Sequence, residues 1–206
     1  MSTLLVIAKA PVPGRVKTRL TPQFTPQQAA DLAGAALQDT LAAVLAAPAR
    51  RRVLVLDGQP GPWVPAGIEV VPQCAGGLDV RLAAAFALAE GPALLIGMDT
   101  PQVTPGLLAL GLDFTEADAW FGPAEDGGFW ALGLAEPDPA LLLGVPMSVA
   151  HTGRVQRQRL SDAGLAVHDL PELCDVDTPA DAERVAAAAP RTRFAAMHSG
   201  LCAVTR

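Results

Sequence analysis

The chain has 206 residues, a formal net charge of -6, 50% apolar and 17% charged residues. Such a length suits one well-buried core, and such a composition excludes a disordered chain. The acidic balance argues against nucleic acid or an anionic membrane surface as the main partner. Three widely spaced cysteines, Cys74, Cys174 and Cys202, lack metal-ligand spacing and are expected as reduced thiols.

The first apolar run is too short for a signal-peptide core or a membrane span, so a cytoplasmic protein without a membrane partner is expected. Leu4 to Ala8 reads as a strand buried on both faces. Pro26 to Ala47 reads as a helix, with Thr25 as cap and proline at the first helical position. Val53 to Leu56 and Ile68 to Val71 are the next strands, followed by a Gly76-Gly77 turn and a helix over Leu78 to Ala89. Ala93 to Ile96 is the most apolar strand and is placed at the centre of the sheet. A helix starts behind Thr104. Ala119 to Phe121 and Phe129 to Leu134 flank the Asp126-Gly127-Gly128 turn and suggest an antiparallel element. Ser148 to Ala163 reads as a basic helix, Ala166 to Leu170 as a late strand, and Pro179 to Ala189 as a helix capped by Thr178. Strands alternating with helices predict an α/β fold: a Rossmann-like mixed, mostly parallel sheet with helices on both faces. One domain over residues 1–190 is expected, with 191–206 as a weakly ordered tail.

Ligands of open α/β sheets bind beyond the carboxyl ends of the strands. That rule selects Lys9 to Leu20, Gln73 to Asp79, Asp99 to Pro101 and Pro123 to Phe129, with Asp175-Val176-Asp177 before the last helix. Four of the 15 Lys and Arg residues, Lys9, Arg15, Lys17 and Arg19, fall in the first loop. Cations, with Pro13 and Gly14 opening the turn, suit a pyrophosphate. In an extended loop Arg15, Lys17 and Arg19 would point the same way. A solvated basic loop is the bland alternative. Val16 before Lys17-Thr18 breaks the Walker pattern, and no Gly-x-Gly-x-x-Gly follows the first strand.

Asp99 at a strand end suits a Mg²⁺ or Mn²⁺ ion, which takes one or two carboxylates and completes its shell with phosphate and water. Asp177 is a second ligand if the two strand ends meet; helix capping is the alternative for both. Glu125 and Asp126 are acids for catalysis. Gly127 and Gly128 permit positive φ or close approach to a ligand, though a plain turn explains them equally well. Gln73, Gly76, Gly77 and Arg81 are candidates for contacting a base or ribose.

These segments occur together as Lys9-Ala10-Pro11-x-Pro-Gly-Arg15-x-Lys17-Thr18-Arg19-Leu20, Gly97-Met98-Asp99-Thr100-Pro101, Gly122-Pro123-Ala124-x-Asp126-Gly127-Gly128-Phe129 and Asp175-Val176-Asp177-Thr178-Pro179-x-Asp181. In that order they resemble a bacterial family of little-characterised GT-A-type glycosyltransferases, some linked to arsenosugar biosynthesis, over about Leu4 to Ala189. The resemblance implies the nucleotide-diphospho-sugar transferase fold, a divalent metal at Asp99 with Asp177, and transfer of a sugar from a nucleotide-sugar to a small-molecule acceptor. The first loop and helix also resemble 2-phospho-L-lactate guanylyltransferase and molybdenum-cofactor nucleotidyltransferases. Nucleotidyl transfer from a nucleoside triphosphate is therefore the second expectation. A non-catalytic nucleotide-binding regulatory module is the third, and a monomer or homodimer suits all three. Met147 and Phe129 replace the Trp and Tyr of the glycosyltransferase family, near the expected acceptor.

Overall fold

A computed structural model describes residues 2–204. Seven strands form one sheet in the order β3-β2-β1-β4-β6-β5-β7. They are β1 (Thr3–Lys9), β2 (Arg51–Asp57), β3 (Glu69–Pro72), β4 (Ala93–Ile96), β5 (Ala119–Pro123), β6 (Phe129–Leu134) and β7 (Val167–Asp169). β6 is antiparallel to both neighbours, and every other pairing is parallel. The mixed, mostly parallel α/β sheet follows the expectation. β4, whose side chains are all buried, is the central strand.

Strand alternation divides the core into two layers. Leu4, Val6, Leu54, Leu94 and Ile96 pack with Leu37, Leu41 and Val44 of α1 (Pro26–Ala46) and Leu108 of α3 (Pro105–Gly111). Leu5, Val53, Val55 and Leu95 face the other way, onto Leu82 and Phe86 of α2 (Leu78–Phe86) and Leu160 of α4 (Thr152–Asp162). α1 has the length and composition of a membrane span, yet 61% of its most apolar window is buried within the protein. It is the core helix of the fold.

Helix starts follow local chemistry. Thr25 accepts from the Gln28 amide and Gln28 reciprocates, closing a capping box; Thr178 and Asp181 do the same at α5 (Pro179–Ala188). The chain departs from its sequence pattern at three helices. α2 ends at Phe86, and Leu88 and Ala89 continue in tighter i→i+3 turns. α4 begins at Thr152, because Ser148 has φ 60° and breaks any helix through it.

The third departure is the C-terminal segment, expected as a weakly ordered tail. It forms α6 (Arg193–Val204). Thr192 caps it locally by accepting from the Ala195 amide at 3.1 Å, and Asp39 of α1 accepts from the Arg193 and Phe194 amides at 3.0 and 2.8 Å. Phe194 is buried in a third apolar cluster with Leu20, Phe24, Leu32, Val176 and Val185. That cluster secures the end of the basic loop and the chain beside Asp175 and Asp177 against α1, α5 and α6.

Candidate functional site

A cavity of about 650 Å³ opens over the carboxyl ends of β1 and β4, in the volume range of small-ligand sites. Its position is the one the strand-end rule selects. Backbone pairing assembles its floor. The Val176 amide donates to the Asp99 carbonyl, and Leu173 bridges to Pro123 and Glu125. The indole N–H of Trp130 donates to the Pro171 carbonyl. These bonds draw the 171–177 segment against the ends of β4 and β5, so Asp99 and Asp177 meet.

The basic loop is not extended. Gly14 has φ 75°, Lys17 is left-handed at φ 47° and ψ 39°, and a short 3-10 turn covers Thr18–Leu20. Buried Val16 and Leu20 pin this turn to the core. Arg15, Lys17 and Arg19 nevertheless all line the cavity, with Lys9 beside them. They reach it by different routes. The Lys17 side chain is 9% exposed, whereas that of Arg19 is 75% exposed. Pro13 and Gly14 shape the turn and lie outside the cavity lining.

Lys17 Nζ lies 2.7 Å from Asp99 Oδ1 and 3.1 Å from Asp177 Oδ1. Arg19 holds the other Asp177 oxygen at 3.0 Å. Burial alone would push the Lys17 ammonium toward deprotonation; Asp99 and Asp177 more than offset this and hold its pKa above the ordinary lysine value. Asp175, beside them, lines the same cavity. Burial, then the like charges of Asp99 and Asp126, pushes its carboxyl up to about 7. Asp175 lies in a segment that the strand-end rule selects, but no role was expected of it beside Asp177.

Asp126 and Gly128 line the cavity, and Asp126 Oδ1 accepts from the Gly128 amide at 2.8 Å. Glu125 does not line it. Its carboxylate takes a 2.7 Å ion pair from Arg184 of α5, so the expected catalytic pair is split between two surfaces. Gly127 has its own reason. At φ 86°, a Cβ there would lie 2.1 Å from the Ala150 carbonyl, and the Gly153 amide donates to the Gly127 carbonyl. The close approach at Gly127 is to the protein's own backbone.

Gln73, Gly76 and Arg81 line the cavity; Gly77 caps α2 outside the lining. Gln73 donates to the Ala8 and Val55 carbonyls, and Arg81 bonds Gln73, Asp57 and the Gly76 carbonyl. The Gln73 amide and the Arg81 guanidinium thus tie the ends of β1, β2 and β3 together. The lining also includes Leu78, Leu82, Phe129, Met147, Ser148 and Val149; of these, Phe129 and Met147 are positions that the family resemblance singles out, whereas Leu78 and Leu82 carry no motif signal.

Among the described residues no group of three or more His, Cys, Asp or Glu side chains is arranged to hold a metal ion. Asp99 and Asp177 still fit a hard divalent cation of the kind that uses two carboxylates and fills its shell from phosphate and water. Both point at one place, and a cationic nitrogen already stands there.

Residues 32–149 match the family described as "Uncharacterized protein conserved in bacteria (DUF2064)". The chain belongs to that family. Comparison with curated proteins gave no match. Among solved structures, a protein of Desulfovibrio desulfuricans G20 provisionally described as a nucleotide-diphospho-sugar transferase shares 25% identity at a TM-score of 0.88, covering 98% of this chain and 95% of its own. Rv0371C of Mycobacterium tuberculosis H37Rv, solved as a complex with manganese, shares 19% identity at a TM-score of 0.53, with 89% and 97% covered. The 2-C-methyl-D-erythritol 4-phosphate cytidylyltransferase of Thermus thermophilus shares 18% at 0.57, with 92% and 100% covered. The last two likenesses concern the fold alone.

Proposed function

We propose that this family member is a divalent-metal-dependent transferase that uses a nucleotide donor, and that it moves a sugar from a nucleotide-diphospho-sugar to a small acceptor. The observation that carries this reading is the meeting of Arg15, Lys17 and Arg19 with Asp99 and Asp177 at one end of the sheet. Cations and carboxylates side by side are what a diphosphate with its counter-cation requires. The similarity to the Desulfovibrio protein over nearly the whole of both chains supports the same class.

When the glycosidic bond to the diphosphate breaks, negative charge builds on the departing nucleoside diphosphate. Arg15, Lys17 and Arg19 are placed to offset it. Asp99 and Asp177 would hold the cation, which when bound supplies Lewis-acid stabilisation of that charge. Asp126, on the turn between β5 and β6, is the residue in this reading that orients the acceptor hydroxyl and takes its proton. Glu125 is assigned no part, because Arg184 holds its carboxylate away from the cavity.

The deciding experiment incubates the protein with Mn²⁺ and a panel of UDP-, GDP- and dTDP-sugars, and separately with nucleoside triphosphates. Release of nucleoside diphosphate from one sugar donor supports the proposal. Pyrophosphate release from a triphosphate would replace it with nucleotidyl transfer. Tight binding without either product across candidate acceptors would indicate a regulatory nucleotide-binding module.

A further inference from the structure

Lys17 occupies an unusual position for a phosphate-binding residue. Its ammonium is turned inward between Asp99 and Asp177, with the side chain 9% exposed, while the two carboxylate side chains are 41% and 33% exposed. The left-handed backbone at φ 47° and ψ 39° directs it there, and Val16 and Leu20 anchor both sides of the turn. Arg15 remains exposed and Arg19 grips only the outer oxygen of Asp177. The seat suited to a divalent cation is therefore filled by the protein's own cation.

A metal ion bound to these carboxylates would stand about 2.0–2.1 Å from their oxygens in the case of Mg²⁺. An ammonium 2.7 and 3.1 Å from the same two residues leaves it no room, and two like charges that close repel strongly. We propose that Lys17 and a divalent cation are alternative occupants of one seat between Asp99 and Asp177, and that the donor's diphosphate drives the exchange by drawing the Lys17 ammonium outward. The inference rests on the reading of this cavity as a metal-dependent nucleotide site. It adds an order to it: the cation alone meets a filled seat, the nucleotide alone finds Lys17 committed, and each binds better with the other present.

Mn²⁺ binding followed by electron paramagnetic resonance or calorimetry tests the exchange on the full chain, with UDP and GDP as the nucleoside diphosphate probes. Lys17→Met should bind Mn²⁺ without nucleotide about tenfold or more tighter than the natural chain, within the usual range of coupling between sites. Arg19→Met removes one positive charge from the same Asp177 without emptying the seat, and should leave Mn²⁺ affinity within about threefold, as expected for an exposed pair. In the natural chain, Mn²⁺ should bind about tenfold or more tighter when UDP or GDP is present. Equal tightening in both variants would reduce the effect to net charge and overturn the exchange. So would a Lys17→Met protein, shown folded by its melting temperature, that binds Mn²⁺ no better than the natural chain. Should Lys17→Met fail to fold, equal Mn²⁺ affinity of the natural chain with and without either nucleotide overturns the exchange alone. If neither the natural chain nor any variant binds Mn²⁺ with or without nucleotide, the transferase reading itself falls.

Discussion

Lys17 Nζ lies nearer to Asp99 Oδ1, at 2.7 Å, than to Asp177 Oδ1, at 3.1 Å, and Asp177 alone is shared with Arg19. Asp99 is thus the principal counter-charge of a side chain that is almost fully withdrawn from solvent. Breaking a buried pair outright costs about 3–5 kcal/mol. In Asp99→Asn the ammonium retains Asp177, so a smaller loss of about 1–2 kcal/mol is expected, a melting-temperature drop of roughly 2–8 °C. The fold should survive while calorimetric Mn²⁺ binding in the presence of a nucleoside diphosphate disappears. An unchanged titration would remove Asp99 from the metal site.

Arg15 is exposed at the cavity mouth and, unlike Lys17, is not turned into the acidic pair. A charge-assisted hydrogen bond to phosphate contributes about 1.5–3 kcal/mol, and exposure favours the lower end. Arg15→Ala should weaken a nucleoside diphosphate by about tenfold and leave the bare nucleoside nearly unchanged. Competition binding with UDP and uridine, or GDP and guanosine, measures this. Equal loss for both members of a pair would sink the phosphate role.

The strand ends and helix caps could be read from the chain because their signals are local. The apolar run Ala93 to Ile96 marks the central strand, and Thr25 and Thr178 each find their partners within three residues. The direction of Lys17 could not, since a left-handed lysine carries no glycine to announce it. Glu125 and Asp126 look equivalent in sequence, and only Arg184, 59 positions away, separates them. α6 was hidden for the same reason. Thr192 offers a local cap, but the Asp39 carboxylate that binds the first two amides lies more than 150 residues upstream, and buried Phe194 meets Leu20 only in the folded chain.

Gly127 and Gly14 both have positive φ, at 86° and 75°, but only Gly127 is crowded. A Cβ at Gly14 meets nothing within 4 Å, so Gly14→Ala should lose only the left-handed backbone cost of about 1–2 kcal/mol. A Cβ at Gly127 meets the Ala150 carbonyl at 2.1 Å, which forces the β5–β6 turn away from the start of α4. Gly127→Ala should therefore lose about 3 kcal/mol or more, since strain and displacement add. Denaturant titration of both variants decides it, and similar midpoints would show that the turn is not bolted to α4.

Phe194 connects α6 to the site through one apolar cluster that contains both Leu20, at the end of the basic loop, and Val176, between Asp175 and Asp177. Phe194→Ala should destabilise the protein by about 3–5 kcal/mol. Because the cavity collapses beneath those two anchors, nucleoside diphosphate affinity should also fall in the folded protein. Binding measured well below the variant's melting temperature separates the two effects. Full affinity there would show that α6 supports stability without positioning the loop.

Asp175 gives the pH dependence. Its carboxyl is pushed up to about 7 by burial, then by Asp99 and Asp126, while Lys17 works in the opposite direction. A carboxyl whose folded pKa is raised favours the protonated folded form. Its stabilising contribution is complete below the unfolded value, near pH 4, and is lost as pH rises through about 7. A displacement of that size corresponds to ~4 kcal/mol when fully expressed, which sets the ceiling. Asp175→Asn cannot ionise and escapes the loss. In metal-free buffer, its melting temperature relative to the natural chain should therefore rise between pH 5 and pH 8. The sign follows from the raised carboxyl alone, so a packing change that accompanies the substitution displaces the whole curve without reversing its trend. A difference that stays constant across that range would mean that Asp175 ionises as an ordinary carboxylate and is not strained by its neighbours.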